Sequence, residues 1–296
     1  MATNATASLP PGVDPAAFDF QLYRYVPDLP AAIASIAIFA ILTALHFWRI
    51  ARHRSYYFLA FAVGGIFEVI GYIGRALSHG DKYSLGPFIM QSLLILLAPA
   101  LFAASIYAIL GRLIVALRAD HLAPIRPSRT TQLFVGGDVI SFLLQMAGGG
   151  LQAAGTLEFY HQGEKIILTG LFIQMAFFSF FIFNAVVFHT RLSGQPPLSG
   201  IPWQRHLYVL YAVSVVILVR NLFRVVEYLQ GNGGYLVSHE VFLYIFDMAL
   251  MAVVMAIFLI WYVDDLSVDS RKTEEDGVLS ELTTFTRSRG NSNRTA

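Results

Sequence analysis

The sequence predicts an all-α membrane protein, a single bundle of seven transmembrane helices. Hydrophobic residues make up 56% of the 296 residues and charged residues only 13%, which is too apolar for an ordinary soluble domain. Seven continuous apolar runs also reach the length of roughly 20 residues that a helix needs to cross a bilayer core about 30 Å thick. The runs lack the alternation of barrel strands, which excludes a transmembrane β-barrel.

The connections between the runs are short and polar, so we expect one compact bundle without a second domain. In chain order the predicted spans are Leu29–Trp48, Tyr56–Leu77, Phe88–Leu117, Gln132–Gly155, Ile166–His189, Leu207–Leu229 and Glu240–Tyr262.

Individual spans carry further signals. The second and fourth spans contain clusters of glycine, which allow close helix packing. Pro99 in the third span removes one backbone hydrogen bond, so we expect a kink there. The fifth span has phenylalanines around its circumference, a pattern that favours contact with lipid and neighbouring helices over a cofactor site. The sixth and seventh spans carry ionisable residues.

Basic residues predict the orientation of the bundle. The loops after the first, third and fifth spans hold eight arginines, whereas those after the second, fourth and sixth hold only Lys82 and Lys165. The positive-inside rule then places the N-terminus outside and the C-terminus in the cytoplasm. Trp48, Trp203 and Trp261 agree, because all three fall at the predicted inner interface.

Two terminal segments flank the bundle of residues 29–262. Residues 1–28 have no continuous apolar core and so do not resemble a signal peptide, which predicts a short extracellular segment exported by the first helix. It contains a glycosylation sequon at Asn4. Residues 263–296 mix charged residues with Ser and Thr and hold too few apolar residues to build a core, which predicts a disordered cytoplasmic tail.

Ionisable residues inside the spans mark the predicted functional region, because charges are costly in hydrocarbon. Each costs about 2.5–3.5 kcal/mol at mid-helix, so seven unpaired groups would cost roughly 20 kcal/mol. We therefore expect them to pair with one another or to contact water. The seven are Glu68, Arg75, Asp138, Arg220, Arg224, Glu227 and Asp247.

Helix spacing and depth predict how these groups meet. Arg220, Arg224 and Glu227 are separated by four and three residues, so they share one face of the sixth helix. Alternating helix directions place three acids near three bases at similar depth, with Glu68, Asp247 and Arg75 completing the set. Asp138 lies closer to the inner side, where Arg112 is the only basic residue at comparable depth, and Glu240 lies at the membrane edge.

Two interpretations of this set remain open at this point. It is either an ionic network that orients the helices, or a pocket whose carboxylates bind the ammonium head of an amphiphile while apolar helix faces accept its tail.

Enzymatic and cofactor signals are poor. The chain has no cysteine, which excludes disulfides, thiolate metal sites and a cysteine nucleophile. None of its eight histidines forms the i, i+4 pair of a helical zinc site, and no phosphate-binding GxxxxGK[ST] sequence occurs. We therefore expect no enzyme activity, no cofactor and no metal, and the net charge of +1 argues against a nucleic-acid partner.

Ordered blocks along the chain resemble the fungal lipid-translocating exporter family, also called RTA-like or aminocholesterol-resistance proteins. They cover nearly the whole chain from Tyr25 to about Tyr262. The blocks are FEVIGYIGR at 67–75, LAPA at 97–100 leading to AILGR at 108–112, GDVISFLLQ at 137–145, RNLFRVVEY at 220–228 and YIFD at 244–247.

The resemblance implies a fungal plasma-membrane protein that exports or flips sphingoid long-chain bases and gives resistance to toxic amphiphiles. Some family members are linked instead to sterol-like compounds or porphyrin. Gln145 joins the candidate site residues because it ends one of the blocks. Expected partners are membrane lipids and an amphiphilic substrate. The alternative is a seven-helix receptor or regulatory protein that senses an amphiphile without moving it, and the predicted topology fits both.

Overall fold

A computed structural model describes residues 23, 25–81, 84–153, 157–194, 203–231 and 233–261, and these contain helices and no strand. Seven of the helices in this part of the chain are long and apolar enough to cross a bilayer, which confirms the predicted seven-helix fold. They are α1 (Leu29–His53), α2 (Leu59–Gly80), α3 (Leu85–Ala116), α4 (Pro127–Ala153), α5 (Leu157–Ser193), α6 (Trp203–Leu229) and α7 (Glu240–Ile260).

Several helices are longer than the apolar runs that predict them. Helix α1 continues past Trp48 to His53, and α5 begins at Leu157, well before the predicted Ile166. Adding a residue to an existing helix costs little once the helix is nucleated, so polar residues extend these helices beyond the apolar runs. The predicted ends Gly155 and Tyr262, the sequon at Asn4 and the tail 263–296 lie outside the described residues.

Successive helices run in opposite directions, and this brings the beginnings of α1, α3, α5 and α7 to one end with the last turns of α2, α4 and α6. We call this the N-terminal end of the bundle. Contacts from residues 23–28 fix its geometry, because the backbone N–H of Asp28 donates to the carboxylate of Glu240 at 2.9 Å. The Asp28 side chain also caps α1 by accepting from the N–H of Ala31 at 3.1 Å.

Glycines bring neighbouring helices into close contact, as the sequence predicts. A Cβ on Gly148 of α4 would lie 2.6 Å from the carbonyl oxygen of Gly163 of α5, and one on Gly74 of α2 would lie 2.9 Å from that of Pro87. No side chain larger than hydrogen fits there without moving backbone. Gly149 and Gly150, by contrast, have no neighbour within 4 Å.

Pro99 lies inside α3, which continues as one helix on both sides of it. Since proline has no N–H, the carbonyl of Ile95 one turn earlier loses its helical donor. Arg220 of α6 supplies a donor instead, from Nη2 at 3.0 Å. The proline thus creates an acceptor inside the bundle, and a buried arginine uses it.

The last helix contains a π segment. Helix α7 is α-helical over Glu240–Leu243, π-helical over Tyr244–Ala249 and α-helical again over Leu250–Ile260. Its wider turn holds Asp247, the one buried residue of the segment. Single π turns of this kind are frequent at functional sites.

Candidate functional site

Arg75 organises the N-terminal end of the bundle. Its Nη2 donates to Glu240 of α7 at 2.7 Å and to the hydroxyl of Tyr25 at 2.8 Å, and its Nε lies 3.1 Å from the hydroxyl of Tyr244. The guanidinium is fully buried, and the two tyrosine ring centroids lie 5.5 and 5.3 Å from it. Arg75 therefore joins α2 to α7 and to the segment before α1. It does so through charge-assisted hydrogen bonds and through contacts of its guanidinium with the tyrosine rings.

A second ionic group, the central ion cluster, lies between α6 and α7. Arg220 Nε donates to Asp247 Oδ1 at 2.8 Å, and Arg224 approaches the two oxygens of the same carboxylate at 3.1 and 2.5 Å. Arg224 also donates from Nη1 to Glu227 at 2.8 Å. Asp247 is only 1% exposed, so its charge is balanced by two arginines within the protein. The cluster is Arg220, Arg224, Glu227 and Asp247.

A cavity of about 140 Å³ lies beside both ionic groups at the N-terminal end. Arg75 and Arg224 border it, and its acidic wall consists of Glu227 and Glu164. Glu164 is only partly covered by protein, and its carboxylate lies 3.7 Å from the imidazole of His161. The remainder of the wall is partly apolar and aromatic, with Phe88, Tyr228 and Leu243, and partly polar. The polar residues there include Gln91, Ser92, Gln152 and His239.

Residues before α1 form part of this cavity wall. Tyr23 donates from its hydroxyl to Gln91 Oε1 of α3 at 2.8 Å, and His79 Nδ1 lies 2.7 Å from the carbonyl of Pro27. Burial raises the pKa of the Tyr25 phenol above its ordinary value, so the hydroxyl that accepts from Arg75 stays neutral. Tyr23 and Tyr25 therefore contribute uncharged phenol groups to the cavity wall.

Charged side chains of both signs border the cavity. Among its lining residues, Glu164 and Glu227 are accompanied by Arg75 and Arg224. The other members of the two ionic groups, Glu240, Asp247 and Arg220, lie behind this wall. Glu164 is the acid that no arginine contacts in the ion pairs between described residues.

The structure corrects two of the expected pairings. Glu240, expected at the membrane edge, is the partner of Arg75, and Glu68 forms no ion pair between described residues. Asp138 does not meet Arg112; it accepts from the Tyr107 hydroxyl at 3.0 Å, while Arg112 lies over the ring of Tyr57 at 4.1 Å. Residues at the same depth in the bundle contact each other only if their helix faces are turned toward each other. The rotation of each helix about its own axis determines this in both cases.

Asp138 and Gln145 lie away from the cavity, on the face of α4 that meets α3 and α5. Gln145 donates to Gln174 Oε1 of α5 at 3.1 Å, and Asp138 is 4% exposed. Asp138 and Gln145 therefore belong to a separate set of polar contacts between α4 and its neighbours α3 and α5. Of the eight predicted site residues, the cavity wall contains Arg75, Arg224 and Glu227, with Arg220 and Asp247 directly behind it.

The sequence analysis does not identify Glu164 as a site residue, because the predicted fifth span begins only at Ile166. The signal that identifies it is the continuation of α5 to Leu157, which places Glu164 against the loop after α6: a Cβ on Gly231 would lie 3.1 Å from Glu164 Oε1. Within the described residues, no group of three or more His, Asp or Glu side chains is arranged to hold a metal ion.

Comparison with known proteins places these features in a family. The family model described as "RTA1 like protein" matches residues 61–268. Protoporphyrin uptake protein 1 of Saccharomyces cerevisiae is 37% identical over 81% of this chain and 91% of its own length. Protein RTA1 of the same yeast is 35% identical over 81% of this chain and 84% of its own length.

A more distant relative, the sphingoid long-chain base transporter RSB1 of Saccharomyces cerevisiae, is 28% identical over 85% of this chain and 76% of its own length. No solved structure matches the chain. The family match covers all of α2 to α7 except the first residues of α2, and thus most of the cavity wall and both ionic groups. The protein is an integral membrane protein that belongs to the RTA1-like family.

Proposed function

We propose that the protein is a transporter or flippase-like exporter of amphiphilic lipids, with sphingoid long-chain bases as its substrates, and that it acts in the plasma membrane in resistance to toxic amphiphiles. The observation that carries the proposal is the acidic wall of the cavity, where Glu164 and Glu227 face a space bordered by apolar residues. The ammonium group of a long-chain base is the complementary head group.

The size of the cavity fits the head group and not a whole amphiphile. An engineered cavity of about 150 Å³ in another protein holds one benzene molecule, and this cavity has about 140 Å³. An amino-alcohol head group is of that size, whereas a porphyrin ring is several times larger. The hydrocarbon chain must therefore extend from the cavity along the apolar helix surfaces, where lipid tails already lie.

A second cavity lies between α6 and α7 at the opposite end of the bundle. It has about 510 Å³, and it is lined by aromatic and aliphatic residues, including Tyr208, Ile257 and Trp261, and by the polar side chains of Gln204 and Arg205. In our proposal the N-terminal end faces the outside, as the arginine bias of the loops predicts. The two cavities then provide one binding region near each membrane surface.

The proposal predicts a charge-specific loss of binding. Glu164→Gln keeps the size of the side chain but removes a negative charge that no arginine among the described residues balances. The dissociation constant for a sphingoid base should therefore rise about tenfold or more. Binding of an uncharged analogue, with the amine replaced by hydroxyl on the same chain, should change less than about twofold. Titration of each ligand into purified protein measures both constants.

Asp120→Asn is the matched control, because Asp120 is an exposed acid in the connection between α3 and α4 at the opposite end of the bundle. It should bind both ligands like the unmodified protein. Equal loss of amine and alcohol binding in Glu164→Gln would show that the substitution damages the fold, and unchanged amine binding would contradict the proposed head-group site.

A receptor or regulatory protein is the second candidate. The observation that favours it is the number of spans, since seven helices cannot form two equal inverted repeats of the kind that many transporters use. Such a protein would bind the amine in the same cavity without moving it across the bilayer. A measurement of amine flux across the bilayer distinguishes the transporter from the receptor, because both should bind the amine.

A further inference from the structure

Glu68 is a buried acid without a partner. It lies in the middle of α2, is 1% exposed, and neither of its carboxylate oxygens has a hydrogen-bond partner among the described residues. It does not border the cavity. Neither of the two ionic groups described above includes Glu68.

The surrounding charges are already balanced without Glu68. Arg75 pairs with Glu240, while Arg220 and Arg224 pair with Asp247 and Glu227. Within these ion pairs three guanidinium groups meet three carboxylates. An ionised Glu68 would add a further buried carboxylate that has no ion-pair or hydrogen-bond partner among the described residues.

The charged groups near Glu68 belong to α6 and α7, and they are Arg220, Asp247 and Arg224. Tyr72, one turn along α2, has a buried hydroxyl that also lacks a hydrogen-bond partner among the described residues. On α1, which packs against α2, the buried imidazole of His46 is occupied by the carbonyl of Met255 at 3.0 Å.

On α3, which also packs against α2, the nearest titratable side chains are engaged elsewhere. Tyr107 donates to Asp138, and Arg112 lies over Tyr57. No base among these described groups is therefore left over for Glu68.

The free energy of removing the group from water distinguishes the protonated form of Glu68 from the ionised form. A buried neutral carboxyl group that lacks a hydrogen bond loses only the hydration of a neutral polar group. A buried carboxylate that lacks both a partner charge and hydrogen bonds loses the much larger hydration free energy of an ion. The arrangement in this structure is therefore that of a carboxylic acid carrying its proton.

We propose that Glu68 is an internal proton-binding site whose proton is exchanged for the cationic substrate. The link is Arg224, which contacts Glu227 in the cavity wall and Asp247 behind it, and whose charge is within electrostatic range of Glu68 without contacting it. An ammonium group that binds to Glu227 competes with Arg224 for that carboxylate. The released guanidinium arm then stabilises ionised Glu68, and the proton leaves to water.

Charge balances in this step. One ammonium group enters and one proton leaves, so the total charge of the site is unchanged. Release of the amine returns Arg224 to Glu227, and Glu68 takes up a proton again. Export of the amine is thereby coupled to proton entry. The coupling rests on the proposed transport function, whereas the proton site itself does not.

Infrared spectroscopy of purified protein without substrate tests the proton site. The unmodified protein should show the carbonyl-stretching band of a protonated carboxyl group without hydrogen bonds, sensitive to deuterium exchange, and Glu68→Gln should lose it. Asp138→Asn is the control and should retain it, because Asp138 accepts a hydrogen bond from Tyr107. If Glu68→Gln does not fold, Glu68→Asp should shift the band. Absence of the band from the unmodified protein, or its persistence in Glu68→Gln, would overturn the proton site.

Flux in liposomes tests the coupling separately. The substrate is a quaternary ammonium analogue of a sphingoid base, whose permanent charge prevents it from carrying a proton itself. A pH gradient should accelerate its movement at least threefold in the unmodified protein and not at all in Glu68→Gln or in protein-free liposomes. Flux without any response to the gradient would overturn the coupling and leave the transport proposal standing. Absence of flux under all conditions would overturn the transport proposal, while the infrared result would still decide the proton site.

Discussion

Asp247→Asn should destabilise the protein more than any other replacement of an acid by its amide. Asp247 is buried and is contacted by both Arg220 and Arg224, so loss of its charge leaves two buried guanidinium groups with Glu227 as their remaining carboxylate. Removing one partner of a buried ion pair costs about 3–5 kcal/mol. Thermal unfolding in detergent or nanodiscs should therefore show a large fall in midpoint, together with poor expression.

Two controls separate loss of the ion pair from loss of any buried acid. Asp138→Asn removes a buried carboxylate that contacts a tyrosine hydroxyl and no arginine, and should lower the midpoint much less. Adding Arg224→Gln to Asp247→Asn should cost less than the sum of the two single changes, because both partners of one pair are then removed. Strict additivity, or equal effects of the Asp247 and Asp138 variants, would contradict the ionic network.

The second large effect is an energetic coupling between Arg220 and Pro99, which does not require contact between their side chains. Arg220→Leu should destabilise the protein because the carbonyl of Ile95 then loses the donor that replaces the missing N–H of Pro99. A buried acceptor left unsatisfied costs about 1–3 kcal/mol, in addition to the lost contact with Asp247. Pro99→Ala restores the N–H and with it the helical hydrogen bond to Ile95.

Pro99→Ala should therefore raise the thermal midpoint of Arg220→Leu more than it raises that of the unmodified protein. The coupling energy from this double-mutant cycle should be about 1 kcal/mol or more. Pro87→Ala is the matched control, since Pro87 lies in the first turn of α3, where an N–H has no helical acceptor to lose. Equal effects of Pro99→Ala in both backgrounds would contradict the role assigned to the freed carbonyl.

Much of this arrangement can be predicted from the sequence, and the exceptions have physical reasons. The spacing of Arg220, Arg224 and Glu227 is sufficient to place them on one face, because helix periodicity is fixed. Partners on different helices depend on rotation and local irregularity, which periodicity does not specify. The contact between Arg75 and Glu240, and the π segment that holds Asp247, are of this second kind.

Only the structure distinguishes the acids that hold the helices together from the acids that border the cavity. Sequence reasoning treats Glu227 and Asp247 alike, as carboxylates available to a cationic head group. In the structure Asp247 is 1% exposed and held by two arginines, whereas Glu227 borders the cavity. Glu164 joins it only because α5 begins earlier than its apolar run. In the function that we propose, the carboxylates that bind the substrate are therefore Glu164 and Glu227, and Asp247 orients Arg224 behind them.

Movement of a sphingoid base between the leaflets of liposomes that contain only this protein is the most direct test of the proposed function. We expect the protein to accelerate flux of the amine, and Glu164→Gln to reduce this flux at least tenfold. The uncharged analogue should show little protein-dependent flux. Binding of the amine without any flux would contradict transport and favour the receptor. Equal flux of the amine in the unmodified protein and in Glu164→Gln would contradict the assignment of the cavity as the substrate site.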